Sequence, residues 1–177
     1  MTYANQIPTH LTRRAFLSTA STLPVATILA APALPASARA SNIDFTYEIT
    51  RSDEAWRSRL TEQEYAVLRL GRTEVPHTSL NAFQMAEGHY SCKGCDLVNF
   101  DSQWKVPHFD IGWAFFSQAR PTTVLTSIDD AYADMADDSA AIECHCRRCA
   151  SHLGHILTVK GTTLHCLNGT SLVFFEA

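Results

Sequence analysis

The first forty residues of this 177-residue chain contain no aspartate or glutamate, although the whole carries 18 acidic residues. Their strong positive charges are Arg13, Arg14 and Arg39 alone. They also lack a long, strongly apolar run. The stretch from Leu17 to Leu34 is rich in Ala, Thr and Ser and is broken by Pro24 and Pro32. A membrane-spanning helix needs roughly 20 apolar residues, so this composition weighs against an anchor. Beyond residue 40 the shortage is of positive charge. That part holds all 18 acidic residues but 11 of the 14 basic ones, a formal charge of −7. No basic cluster remains that would hold nucleic acid or an anionic membrane. The expected partner is a neutral small molecule or another protein. No internal repeat occurs beyond two cysteine pairs.

What is present begins with an address. Thr12-Arg13-Arg14-Ala15-Phe16-Leu17 resembles the twin-arginine export motif, and Ala38-Arg39-Ala40 fits a small-residue cleavage site. Residues 1–40 are therefore expected to be an export signal, cleaved or retained as a tether. Residues 41–177 are expected to form one domain, periplasmic or otherwise exported, with no stable membrane insertion after cleavage.

Cys92/Cys95 and Cys146/Cys149 account for four of the six cysteines. A C-x-x-C turn offers two thiolates from one tight loop, and two such turns complete a tetrahedral zinc site with no open position. Such a metal is structural. Iron suits the same ligands, a lone pair of this kind also reads as a redox dithiol, and three disulfides are the alternative for an exported chain. Twin-arginine export carries folded proteins, as the resemblance of the signal implies, so the metal could be loaded beforehand. Cys144 and Cys166 are left as candidates for chemistry.

The fold class reads as mainly β. Residues 52–71 have helical texture, with Ser52 or Asp53 as a first cap. Thr61-Glu62-Gln63-Glu64 is a capping box for a second segment, which Gly71 ends. Thr73 to Glu87 reads as loop. From His89 onward, short apolar or alternating runs between turn residues predict strands of antiparallel sheets: 89–91, 97–100, 112–116, 122–126, 140–146, 152–159, 162–167 and 171–175. Lys160-Gly161 fits a hairpin turn, and Asp129–Asp138 a short helix or a solvated loop. Each cysteine pair would sit in a knuckle at a strand end.

The second pair continues as Cys146-x-x-Cys149-x-x-His152-Leu153-Gly154-His155, followed downstream by Cys166, Asn168 and Ser171-Leu172. Upstream stand Thr73-Glu74, Glu87-Gly88-His89-Tyr90 and Gly112-Trp113-Ala114-Phe115-Phe116. Across most of residues 54–175 the chain resembles the zinc-containing methionine-R-sulfoxide reductase B family. The resemblance implies that family's sheets around a strand core, with short N-terminal helices. It also implies reduction of methionine-R-sulfoxide, an oxidised methionine in a protein or peptide, with a thioredoxin-like thiol reductant to recycle the enzyme. Cys166 matches the nucleophile, which ends as a sulfenic acid. His152 and His155 match the active-site histidines, Asn168 an orienting residue, and Trp113 and Phe116 the substrate-binding aromatics.

The chain also departs from the family. Leu164 replaces an arginine two residues before the nucleophile. Ile156 to Val159 hold no acid after H-L-G-H. Ile111 occupies the usual resolving-cysteine position. Cys144 is then a resolving cysteine, a buried small side chain or a spare ligand. Cys166 as an inert core thiol, the histidines as satisfied core groups and Trp113 as plain core are the plainer readings. His152 and His155 lie three apart, which puts them on opposite faces of an ideal strand unless Gly154 supplies a bulge. His145 and His165 match no role, although His165 stands where the family has an aromatic. The competing functions are a zinc-held β module that has lost catalysis and binds a partner, and a thiol–disulfide exchanger using Cys144 and Cys166.

Overall fold

The computed structural model describes residues 45–107, 111–129, 142–159 and 161–177. The export-signal segment, most of the Asp129–Asp138 stretch and Lys160 lie outside them.

Two helices open the described chain because two caps divide the helical run. In α1, Asp53–Arg57, the Ser52 hydroxyl accepts from the Ala55 amide. In α2, Glu62–Leu70, Thr61 accepts from the Glu64 amide while the Glu64 carboxylate accepts from the Thr61 amide, closing a capping box. Gly71 ends α2 in the left-handed region at φ 66°. The inner face of α2 buries Tyr65, Val67 and Leu68. Fully burying a side chain such as Leu68 stabilises by about 1.5–3 kcal/mol. Trp56 of α1 is buried between the guanidinium groups of Arg51 and Arg69, 4.8 and 4.5 Å from its ring. The 73–87 loop holds one 3-10 turn, Leu80–Ala82.

Among the described residues eight strands follow: β1 Gly88–Cys92, β2 Val98–Asp101, β3 Ala114–Phe116, β4 Val124–Ile128, β5 Ile142–Cys146, β6 His152–Val159, β7 Thr162–Leu167 and β8 Leu172–Glu176. They form two antiparallel sheets, ordered β2-β1-β8 and β3-β7-β6-β5-β4. The predicted strands thus exist, with β6 and β7 at their expected bounds and the others within two residues of theirs.

In the larger sheet, successive rows alternate between faces. One row runs Thr126, Cys144, Gly154, Leu167, Ala114, and its neighbour runs Ser127, Glu143, His155, Cys166, Phe115. Ala114, Cys144, Leu167 and, from the next row on that face, Phe116 enter the main hydrophobic core, along with Trp56, Leu68, Tyr90 and Phe100. The other face carries the polar row.

Candidate active site and metal centre

The polar row places Cys166 directly opposite His155 across β6 and β7, and His155 opposite Glu143 across β5 and β6. Directly paired residues on one face bring their Cβ atoms to about 5 Å. His152 reaches the same face through a bulge. β5 and β6 pair Cys144 with Gly154 but His145 with His152, so β6 inserts Leu153 as an extra residue. The two imidazoles consequently meet edge to face, with ring centres 5.2 Å apart. The role foreseen for Gly154 is steric as well. A Cβ there would lie 2.1 Å from the Cys166 carbonyl oxygen, and its φ is 154°. Only glycine lets β6 approach the nucleophile's own backbone this closely.

Each histidine has a carboxylate behind it that the sequence did not reveal. Glu143 Oε1 lies 2.7 Å from His152 Nδ1, and Ser127 donates to Glu143 Oε2 at 2.8 Å. Burial pushes the Glu143 carboxyl up, but the hydrogen bonds and charge of His152, with Ser127, outweigh it and hold the group below its ordinary value. Asp129 Oδ2 lies 3.1 Å from His155 Nε2. Burial lowers the His155 value, with Asp129 opposing. Both acids were missed because strand pairing, not sequence proximity, brings them in.

Cys166, His155, Asn168, Trp113, Thr73 and Leu157 line a small cavity of about 90 Å³. The Trp113 indole donates to the Glu74 carbonyl at 3.4 Å. Asn168 is buried and serves as a fastener: its Oδ1 accepts from the Glu74 amide at 2.9 Å, and its amide group donates to the Leu153 carbonyl at 3.4 Å. The buried Glu74 carboxylate accepts from the amides of Gly169 and Thr170, at 2.7 and 2.8 Å, and from the Thr170 hydroxyl. It thereby ties the 73–87 loop to the 3-10 turn Gly169–Ser171 that follows the nucleophile's strand. The Thr73-Glu74 dipeptide was visible in the sequence, but not its anchoring task. Burial, reinforced by the charge of Glu74, pushes the Cys166 thiol up to about 12.

Two expected site residues sit elsewhere. Phe116 is one position out of step with Cys166. It is fully buried on the core face, with ring centres 4.8 Å from Phe100 and 5.0 Å from Tyr90. Phe115 is the aromatic that shares the Cys166 face. Cys144 likewise faces the core, in the row of Leu167 and not of Cys166. It is fully buried, and burial together with the Glu143 charge raises its thiol. The register does not bring its sulfur to Cys166. Of the unassigned histidines, His145 hydrogen-bonds the Tyr47 hydroxyl at 3.1 Å, and His165 packs against Phe100.

The four paired cysteines converge. Their sulfurs all lie within 4.8 Å of one another, with Cys92–Cys149 at 3.7 Å and Cys95–Cys146 at 3.5 Å. Four thiolates about 2.3 Å from one zinc would stand about 3.8 Å apart, so the donor set fits a tetrahedral metal. All four are buried. The two knuckles share part of their backbone pattern. Cys95 and Asp96 donate amides to the Cys92 carbonyl, and Ala150 donates to that of Cys146. Asp96 and Ala150, each four residues after the first cysteine, take positive φ of 61° and 58°. Arg69 donates to the Cys149 carbonyl at 3.0 Å, placing a cation beside the cluster.

Residues 60–176 match the SelR domain. The peptide methionine sulfoxide reductase MsrB of Leifsonia xyli is 35% identical over 136 residues, covering 72% of this chain and 91% of that protein. The MsrB of Leptospira interrogans is 33% identical over 131 residues, covering 72% and 96%. Against the chloroplastic peptide methionine sulfoxide reductase B3 of rice, 31% identical, the chain spans 55% of the relative's length.

This chain belongs to the methionine-R-sulfoxide reductase B family.

Membership makes it a peptide-methionine (R)-S-oxide reductase by class, mainly β and with a buried four-cysteine cluster able to hold a structural metal. Within this reductase, Leu164 is the cross-strand partner of Leu157, on the Cys166 face. An apolar pair thus occupies the position where the sequence already lacked the family arginine. The acids that face the histidines come instead from Asp129, just after β4, and Glu143 of β5.

Proposed function

We propose that this reductase converts methionine-R-sulfoxide in proteins or peptides to methionine at Cys166. The observation that carries the reading is the direct pairing of Cys166 with His155 in a cavity walled by Trp113 and Leu157. The sulfoxide's methyl group would lie against Trp113, a sulfur-on-ring contact. The Cys166 sulfur, deprotonated as it reacts, attacks the sulfoxide sulfur. The sulfur–oxygen bond breaks, the oxygen and one proton end on Cys166 as a sulfenic acid, and methionine leaves. His152 and His155 assist proton movement to the departing oxygen.

Recycling consumes two thiols. The first forms a mixed disulfide with Cys166 and releases water; the second releases the reduced enzyme and a disulfide. With Cys144 on the opposite face and four cysteines in the cluster, both thiols come from an external, thioredoxin-like or smaller donor. Zinc held by Cys92, Cys95, Cys146 and Cys149 would supply a structural cross-link and no step of the reaction. Residues 1–40 would direct the chain through the twin-arginine route to the periplasm, where it would repair oxidised proteins.

Turnover of the two sulfoxide epimers of a methionine peptide with a chemical reductant tests the reading. Reduction of the R epimer alone, abolished in Cys166→Ser, is expected. A second reading is a catalytically impaired module that binds a protein partner. The Leu157–Leu164 pair and the raised Cys166 thiol favour it. No turnover by a folded, metal-loaded protein would select it.

A further inference from the structure

Glu143 is a buried carboxylate on the site face with both oxygens engaged, one by His152 Nδ1 at 2.7 Å and one by the Ser127 hydroxyl at 2.8 Å. Beyond it, His145 Nδ1 stands 3.8 Å from Glu143 Oε2, too far for a hydrogen bond. On the other side of His152 lies the His155 ring, itself held by Asp129. Among the described residues, buried His152 Nε2 has no hydrogen-bond partner. A ring clamped at one nitrogen and bare at the other is arranged to exchange a proton.

We propose that Glu143 is a positioning residue for the reduction at Cys166. It fixes neutral His152 as the tautomer with its proton on Nδ1, donated to the carboxylate, and so keeps Nε2 as the acceptor on the site face. Ser127 in turn holds the carboxylate's orientation. The inference rests on the proton-transfer role read above for His152.

The test uses the full, metal-loaded chain and Glu143→Gln, which keeps the side chain's shape and removes its charge. An amide can meet Nδ1 with either its oxygen or its nitrogen, so it no longer dictates the tautomer. The expected result is a kcat for the R-sulfoxide peptide lower by about 10- to 100-fold, with KM within about twofold. Nitrogen NMR of His152 should show Nδ1–H in the wild type and a mixture in the variant. Ser127→Ala, a milder change, should lower kcat by about two- to fivefold, as expected for loss of one orienting hydrogen bond. It serves as the test if Glu143→Gln does not fold. An unchanged kcat in the folded variant, a rise in KM alone, or His152 protonated on Nε2 in the wild type would overturn the proposal. Wild type inactive on the R epimer would overturn the catalytic reading instead, while the His152 tautomer would still decide whether Glu143 sets the ring.

Discussion

Cys144 and Cys166 belong to neighbouring rows of one sheet, yet they occupy opposite worlds. Cys144 faces the core with Ala114, Phe116 and Leu167, where a thiol is a small apolar side chain. Cys166 faces a cavity, opposite His155 and within the influence of the Glu74 charge. A shift of one row in an antiparallel sheet exchanges every neighbour a side chain has. The same rule separates Phe115 from Phe116. Chemistry in this fold is assigned by strand parity before it is assigned by residue type.

The contrast can be broken most completely by exchanging the thiols. Cys166→Ser should lower turnover of the R epimer by at least about 10³-fold, as expected when a nucleophile is removed. Cys144→Ala should leave turnover within about threefold and act on stability alone. A comparable loss of turnover in a well-folded Cys144→Ala protein would refute the division between the faces.

Metal removal acts on both faces at once. Structural zinc sites contribute several kcal/mol or more, comparable with the whole net stability of a domain. A strong chelator, or Cys95→Ser, should abolish the cooperative thermal transition seen by circular dichroism. Retention of that transition at its original temperature would show that the cluster is not the staple.

Leu157 and Leu164 sharpen the contrast, since they put an apolar contact on the polar face. Leu164→Arg alone should cost about 3–5 kcal/mol in urea unfolding, because it buries an unpaired charge. Adding Leu157→Asp should recover at least about 1 kcal/mol, since the two positions pair across β6 and β7. Simple additivity of the two losses would contradict that register.

The mildest probe is pH. With its thiol pushed up to about 12, Cys166 is protonated near neutrality. Its thiolate fraction, and hence alkylation by iodoacetamide in the metal-loaded protein, should rise about tenfold per pH unit from 7 to 10. A plateau below pH 9 would mean that a nearby cation stabilises the thiolate in solution. The same shift bears on folding. Because the folded value lies above the unfolded one, the contribution of Cys166 to stability is complete below about pH 8.5 and declines as pH rises towards 12.

Much of the architecture was legible because its signals are local. Thr61 and Glu64 make a capping box within one turn, Gly71 ends a helix, and two C-x-x-C turns pre-form half a metal site each. Even the bulge needed to gather His152 and His155 could be anticipated from Gly154. Alternation correctly put Cys144 with Cys146, but it could not say which face Cys166 would share. That depends on how β5, β6 and β7 register, which is non-local. Glu143 lies nine residues before His152, and Asp129 is 26 before His155. Nothing in the local pattern marks either as an imidazole partner. Phe116 was misplaced for the same reason: the match to the family segment fixed its position in the chain but not its side of the strand.

The paired knuckles have one more consequence. Cys92 and Cys95 hang from the end of β1 of the small sheet, whereas Cys146 ends β5 of the large one and Cys149 lies in the turn to β6. A metal held between them closes a loop of some fifty residues and is bound only by the folded chain. Stability then depends on the surroundings as well as on the sequence. Above the dissociation constant, each tenfold fall in free metal removes about 1.4 kcal/mol. The working lifetime of a repair enzyme built this way would follow the metal supply of the compartment in which it serves.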